Sequence, residues 1–314
     1  MMNRRQFLKT SSSAALLAAT AGCATSESKS QPDDLTIIDC HTHFFDPTRS
    51  GGVPWPPKDS PLYKPTYPRD YLAQPQPHPV AHTVVVEASP LVKDNDWILD
   101  LAKKNEFIIG FCGNLDPLNE EFSVNLSKLV KDRTFSGIRV SGDVVARNLG
   151  NSSFVENLRI LDRENLQLDV NGPPETLPAI GKLAERIPSL RIVIDHLANI
   201  AIDGSKVDPL WEANMKAVAQ NVSVYGKISG LVEAGARSRK PASVETDYYA
   251  SHLDVMWQAF GEDRLVYGSN WPVCGLYAPL SDVQRIATEY FSKKGRTALG
   301  KVMSGNAMTA YSLS

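Results

Sequence analysis

The stretch LTIIDCHTHFF, residues 35–45, decides how the rest of this 314-residue chain is read. Two isoleucines lead into Asp39, and then histidine alternates with a small polar residue. A short β-branched run of this kind reads as a strand. In an extended chain, side chains two residues apart point the same way. His41 and His43 therefore present two imidazoles to one place, where they can share a divalent metal or flank one substrate group.

Seven further runs repeat the pattern: HTVVVEA (82–88), FIIGFCG (107–113), SGIRV (136–140), LQLDV (166–170), RIVIDH (191–196), VSVYGKI (222–228) and RLVYGS (264–269). Between them lie segments with apolar residues at three- and four-residue spacing, such as DNDWILDLAKKN (94–105) and PPETLPAIGKLAERI (173–187), which read as amphipathic helices. Eight strand-then-helix units argue for a parallel sheet, and at this length for a closed (β/α)8 TIM-type barrel over an open doubly wound sheet. No Gly-x-Gly-x-x-Gly follows the first strand, so dinucleotide binding loses its main support. After the first strand a proline-rich segment of more than thirty residues carries Trp55, Tyr63, Tyr67 and Tyr71, and reads as a partial lid.

The amino-terminal segment differs from the rest. Residues 1–23 combine paired arginines, a short small-apolar stretch and Cys23, which is export-signal anatomy of twin-arginine type with a possible lipobox at Cys23. Residues 24–34 are a polar linker, and residues 35–314 form one barrel domain. The expectation is a periplasmic protein or membrane-anchored lipoprotein whose only membrane link is a lipid on Cys23. Composition is globular, with 42% hydrophobic residues, and a formal charge of -2 leaves no basic excess for a nucleic acid. A small molecule is the expected partner; the oligomeric state is not specified. Cys40, Cys112 and Cys274 form no Cys-x-x-Cys pair and read as buried small hydrophobes.

In such a barrel the chemistry sits where strands end, so polar residues closing each apolar run are the candidates. Glu87 offers a ligand, base or salt-bridge partner. Arg139 suits a carboxylate or polarised carbonyl, because its fork donates parallel hydrogen bonds. His196 closes the sixth run. Glu233 lies in the loop GLVEAG after the seventh, and Asn270 and Trp271 follow the eighth.

The runs IIDCHTHFFD, VVVEAS, SGIRV, IVIDHLA, VYGKISGLVEA, LVYGSNWPV and SGNAMTAYSL together resemble, in order, amidohydrolase family 2 of the amidohydrolase superfamily, most closely its sugar-lactonase and dicarboxylate-lactone hydrolase branch. The resemblance covers residue 35 to the carboxyl end and implies a (β/α)8 barrel. Family members hydrolyse lactones or decarboxylate unsaturated acids; some hold one Zn²⁺, and certain lactone hydrolases need none. Carried over, it makes His41, His43 and His196 the metal set, with zinc favoured, manganese second and a metal-free site left open. The resemblance makes Arg139 a substrate contact; strand-end position adds Trp271 and Glu233 as substrate-binding candidates.

The family's Asp after the eighth strand falls on Asn270, where this sequence departs from the pattern. An amide has no basic site near neutral pH and cannot be a general base. Either a metal lowers the pKa of its water toward ~7, or Glu87, Glu233 or a neutral histidine takes the proton. On this reading Asn270→Asp raises the rate if a missing base limits it. The leading expectation is a lactone hydrolase; the alternatives are a metal-dependent non-oxidative decarboxylase and a non-catalytic ligand-binding relative.

Overall fold

The computed structural model describes residues 35–51, 53–238 and 240–313. The expected export signal, Cys23 and the linker lie outside the described residues. Eight parallel strands run in sequential order: β1 (Ile37–Thr42), β2 (Val80–Val86), β3 (Ile108–Gly113), β4 (Phe135–Ser141), β5 (Gln167–Asn171), β6 (Ile192–Ile194), β7 (Val224–Ile228) and β8 (Leu265–Tyr267). Helices alternate with them, and the architecture is the (β/α)8 barrel. No helix among the described residues is long and apolar enough to cross a membrane.

Closure depends on the residues just after β8. Asn270 N donates to His41 O at 2.8 Å and His43 N donates to Trp271 O at 2.8 Å, so the edges of the sheet meet at the two histidines. Gly268 allows this approach: a Cβ there would stand 2.7 Å from the Cβ of His41. Asp39 latches the same seam, accepting from Ser269 N at 2.8 Å, His41 N at 3.1 Å and Tyr71 Oη at 2.8 Å. Burial pushes its carboxyl above the ordinary value, against the pull of these donors.

The register of β1 on β2 shifts between Asp39 and Thr42, an irregularity that re-aims side chains. Cys40 joins an apolar cluster with Ile38, Val84, Val193, Tyr225 and Val266, which the carboxyl-terminal Ala307, Ala310 and Tyr311 complete. The next residue, His41, reaches polar partners. Cys40, Cys112 and Cys274 are buried and free.

Of Trp55, Tyr63, Tyr67 and Tyr71 in the long segment after β1, one reaches the barrel mouth. Trp55 stacks 5.1 Å from Phe45 and 6.0 Å from His43, centroid to centroid. Tyr67 donates to Asp46 Oδ2 at 2.8 Å, and Tyr71 is fully buried. Neither Tyr63, Tyr67 nor Tyr71 lines the mouth cavity, so the lid reading reduces to Trp55.

Candidate active site

A cavity of about 570 Å³ opens at the carboxyl ends of the strands, with His43, His196, Arg139, Glu233, Asn270 and Trp55 in its wall. Beneath it lies a charged group inside the barrel that the residue pattern did not reveal. The Lys227 ammonium, fully buried, stands 2.6 Å from Asp169 Oδ2, 2.7 Å from Asp195 Oδ1 and 3.2 Å from His41 Nδ1. Burial disfavours the Lys227 cation, yet Asp169 and Asp195 overcome this and hold its pKa above the usual lysine range. Burial likewise opposes the Asp195 anion, and Lys227 and then His41 outweigh it, holding Asp195 well below the ordinary carboxylate value.

His196 is positioned by unusual backbone. Strand β6 stops at Ile194, and residues His196, Leu197, Ala198 and Asn199 all have φ of 53–54°. Consecutive left-handed residues that are not glycine cost about 1–2 kcal/mol each. The turn is held from outside: Trp211 Nε1 donates to Leu197 O at 2.9 Å, Asn199 Nδ2 donates to Asn171 Oδ1 at 2.6 Å, and Arg237 donates to Asn199 O. Strain fixed in this way concentrates at functional sites. His196 Nδ1 bonds Ser229 Oγ at 2.8 Å. Gly230, at φ +65°, passes so close that a Cβ would lie 2.9 Å from the His196 ring. Gly230→Ala is therefore expected to displace His196 and lower stability by about 1–2 kcal/mol in urea denaturation.

The histidines are neutral at neutral pH. Burial, followed by the Lys227 charge, holds His41 well below its ordinary value. Burial, then Arg139, pushes His43 down to about 4, and burial takes His196 to about 3. His41, Asp195 and His196 bring one ligand atom each within 4.8 Å of one another. Two neutral imidazoles and an ionised carboxylate form a donor set that suits a single divalent ion. His41 Nε2 is buried with no hydrogen-bond partner among the described residues. When His41 Nδ1 donates to Asp195, 3.5 Å away, that Nε2 lone pair is free for an ion.

This grouping differs from the expected three histidines. His43 has both ring nitrogens engaged, Nδ1 with Val86 O at 2.9 Å and Nε2 with Asn270 Oδ1 at 3.1 Å, and Asp195 stands in the trio instead. Only the aspartate immediately before His196 could have signalled this in the sequence.

Two other expected contacts fall elsewhere. Glu87 does not line the cavity; it fixes Arg139, accepting from Nε at 2.9 Å while its backbone oxygen accepts from Nη2 at 2.9 Å. Trp271 also lies outside the cavity lining, packed against Phe44 and Tyr71 at centroid distances of 6.1 and 5.4 Å. Glu233 sits not in a loop but in the first turn of a helix, Leu231–Ser238. Its Oε1 accepts from Asn270 Nδ2 at 2.8 Å, and its Oε2 is buried without a partner among the described residues. Burial raises its pKa to about 7, against the weaker pull of Asn270 and Arg237.

A family model described as Amidohydrolase matches residues 38–313, which includes all but the first residue of the barrel strands. The chain belongs to the amidohydrolase family. This amidohydrolase is 29% identical over 253 residues to an L-fucono-1,5-lactonase of Burkholderia ambifaria, covering 78% of this chain and 83% of the relative. It is 26% identical to an L-fucono-1,5-lactonase of Burkholderia multivorans, over 88% of this chain and 96% of the relative. A crystal structure of an amidohydrolase from Burkholderia multivorans with bound zinc has the same fold, with a TM-score of 0.76 at 22% identity, covering 89% of this chain and 100% of its own.

Proposed function

We propose that this amidohydrolase hydrolyses a lactone, the cyclic ester of a sugar acid or related carboxylate. The reading is carried by one coincidence: relatives that act on a lactone align over most of the chain, and the cavity holds a carboxyl group poised near neutrality beside neutral histidines. A volume of about 570 Å³ suits a small cyclic ester. Asn171, whose Oδ1 is taken by Asn199, offers its NH₂ to a hydroxyl group, and the indole of Trp55 offers a face to its C–H surface. Arg139, steadied by Glu87, has no partner among the described residues on Nη1, which leaves that nitrogen for the ester carbonyl or a carboxylate.

His41, Asp195 and His196 are the residues that would hold a divalent ion, zinc before manganese. Bound there, the ion supplies Lewis acidity that polarises an ester carbonyl.

A pH-indicator assay over a panel of aldonolactones and carboxylated lactones tests the proposal. Acid release on ring opening is the expected result, with at least a tenfold loss after chelation. Carbon dioxide release without water incorporation would instead make the protein a decarboxylase, and tight binding without turnover would make it a binding protein. Trp55→Ala is expected to raise KM about two- to tenfold with kcat nearly unchanged, as loss of one aromatic contact implies.

A further inference from the structure

We infer that Glu233 takes the proton from the attacking water and that Asn270 is the positioning residue that holds it for this task. The inference rests on lactone hydrolysis as the reaction and identifies the group that replaces the missing carboxylate at position 270.

The other candidates are committed. Glu87 is salt-bridged to Arg139 at 2.8 Å, and Asp195 to Lys227 at 2.7 Å. His43 is engaged at both nitrogens. Glu233 is the carboxyl in the cavity wall, and it forms no ion pair among the described residues. Around it stand Arg237 one turn along its helix, the Tyr249 hydroxyl and Cys274 thiol behind it, and His43, His196, Arg139 and Lys240 across the cavity. The cations are too distant to pair with it, so burial dominates.

Asn at 270 suits this arrangement in a way Asp does not. An amide can donate its NH₂ to an ionised Glu233, the orientation seen here. Turned over, it accepts from a protonated Glu233 through Oδ1 while its NH₂ meets the Nε2 lone pair that neutral His43 has when Nδ1 donates to Val86 O. One side chain therefore serves both protonation states of its neighbour, with neutral His43 carrying its proton on Nε2, toward Asn270 Oδ1, when Glu233 is ionised and on Nδ1 when Glu233 is protonated. An ionised aspartate would repel the ionised glutamate.

The step balances. The water oxygen bonds to the acyl carbon as one proton passes to the Glu233 carboxylate. The ring C–O bond then breaks, and the departing ring oxygen takes that proton back. The product is an open hydroxy acid, which loses one proton as its new carboxyl ionises, and Glu233 ends as it began.

The test compares kcat against pH for the wild type, Glu233→Gln and Asn270→Asp. A base must be ionised to act, so the wild-type rate should rise through a midpoint near 7. Glu233→Gln should lower kcat about 10²–10³-fold, remove that limb, leave KM within a fewfold, and retain both bound metal and the unfolding midpoint. Asn270→Asp should move the limb to higher pH, because two adjacent carboxylates share a proton. A Glu233→Gln enzyme that keeps the limb and most of its rate overturns the inference, as does an Asn270→Asp enzyme that is faster at neutral pH with the limb unmoved. Difference infrared spectroscopy of the pH titration reads the Glu233 carboxyl without any substrate. A band that titrates near neutrality and vanishes in Glu233→Gln supports the proton-holding role even if no lactone is turned over, an outcome that would sink only the lactonase reading. Absence of that band overturns the inference.

Discussion

Lys227→Met is expected to remove about 3–5 kcal/mol of stability at neutral pH. The substitution keeps much of the side-chain volume but strips the shared cation from Asp169 and Asp195, both fully buried. Breaking a buried pair costs more than the pair contributes, because a charge is left behind with neither water nor partner. The dependence on pH is set group by group: Asp169, pushed up to about 6 by burial against the pull of Lys227, favours folding as pH falls through that value, opposite to Asp195. In the wild type Asp195 is held well below the ordinary carboxylate value of 3.8, so its contribution is present above that value and is lost as pH falls through the lower folded value. Lys227 is held above the ordinary lysine value of 10.5, so its contribution persists through neutrality and is lost only as pH rises through the raised folded value. In Lys227→Met the carboxyls must instead take up protons to stay buried, so the deficit should shrink as pH is lowered. Urea denaturation from mildly acid to neutral pH measures this. A deficit below about 1 kcal/mol that is flat with pH would mean that the three charges do not act as a unit. The double variant Lys227→Met with Asp169→Asn should recover part of the loss, since one stranded charge is gone.

His41→Ala is the second large effect. It should reduce metal retained after dialysis, measured by elemental analysis, and lower lactone hydrolysis more than about 100-fold, since loss of even an outer-shell partner of a metal ligand costs 10–100-fold. His41 contributes a buried, unpartnered Nε2 and stands against both Asp195 and Lys227. Removing it deletes a ligand and takes a donor from Asp195. Full activity in a metal-free His41→Ala variant would remove the ion from the reaction and leave the protein's own groups to perform it.

The eight β-branched runs and their helical spacers made the barrel legible, because periodicity reports burial and burial is what folds the chain. Strand-end position drew attention to His43, Arg139, His196, Glu233 and Asn270, all of which line one cavity. It also drew attention to Trp271 and Glu87, which do not. A strand end says which rim a residue occupies and not which way its side chain turns. Lys227 escaped because a lysine inside an apolar run is read against hydropathy, whereas its burial makes sense only once Asp169 of β5 and Asp195 after β6 are brought beside it. Asp195 escaped because the left-handed turn that follows it, with four residues at positive φ, has no glycine to announce it.

Asn270 marks the boundary most clearly. From residue type alone, restoring Asp there looks like restoring a base. In the folded chain its NH₂ is bonded to Glu233, so the same change places like charges together and is expected to harm the enzyme near neutrality. The barrel, the rim on which chemistry sits and the absence of a carboxylate at position 270 were all legible from local pattern or residue identity. Which carboxyl stands in the cavity wall outside any ion pair among the described residues was not. Ionisation depends on burial and on partners within a few ångströms, and here Glu233, on the helix after β7, meets Asn270 only where the chain returns after β8.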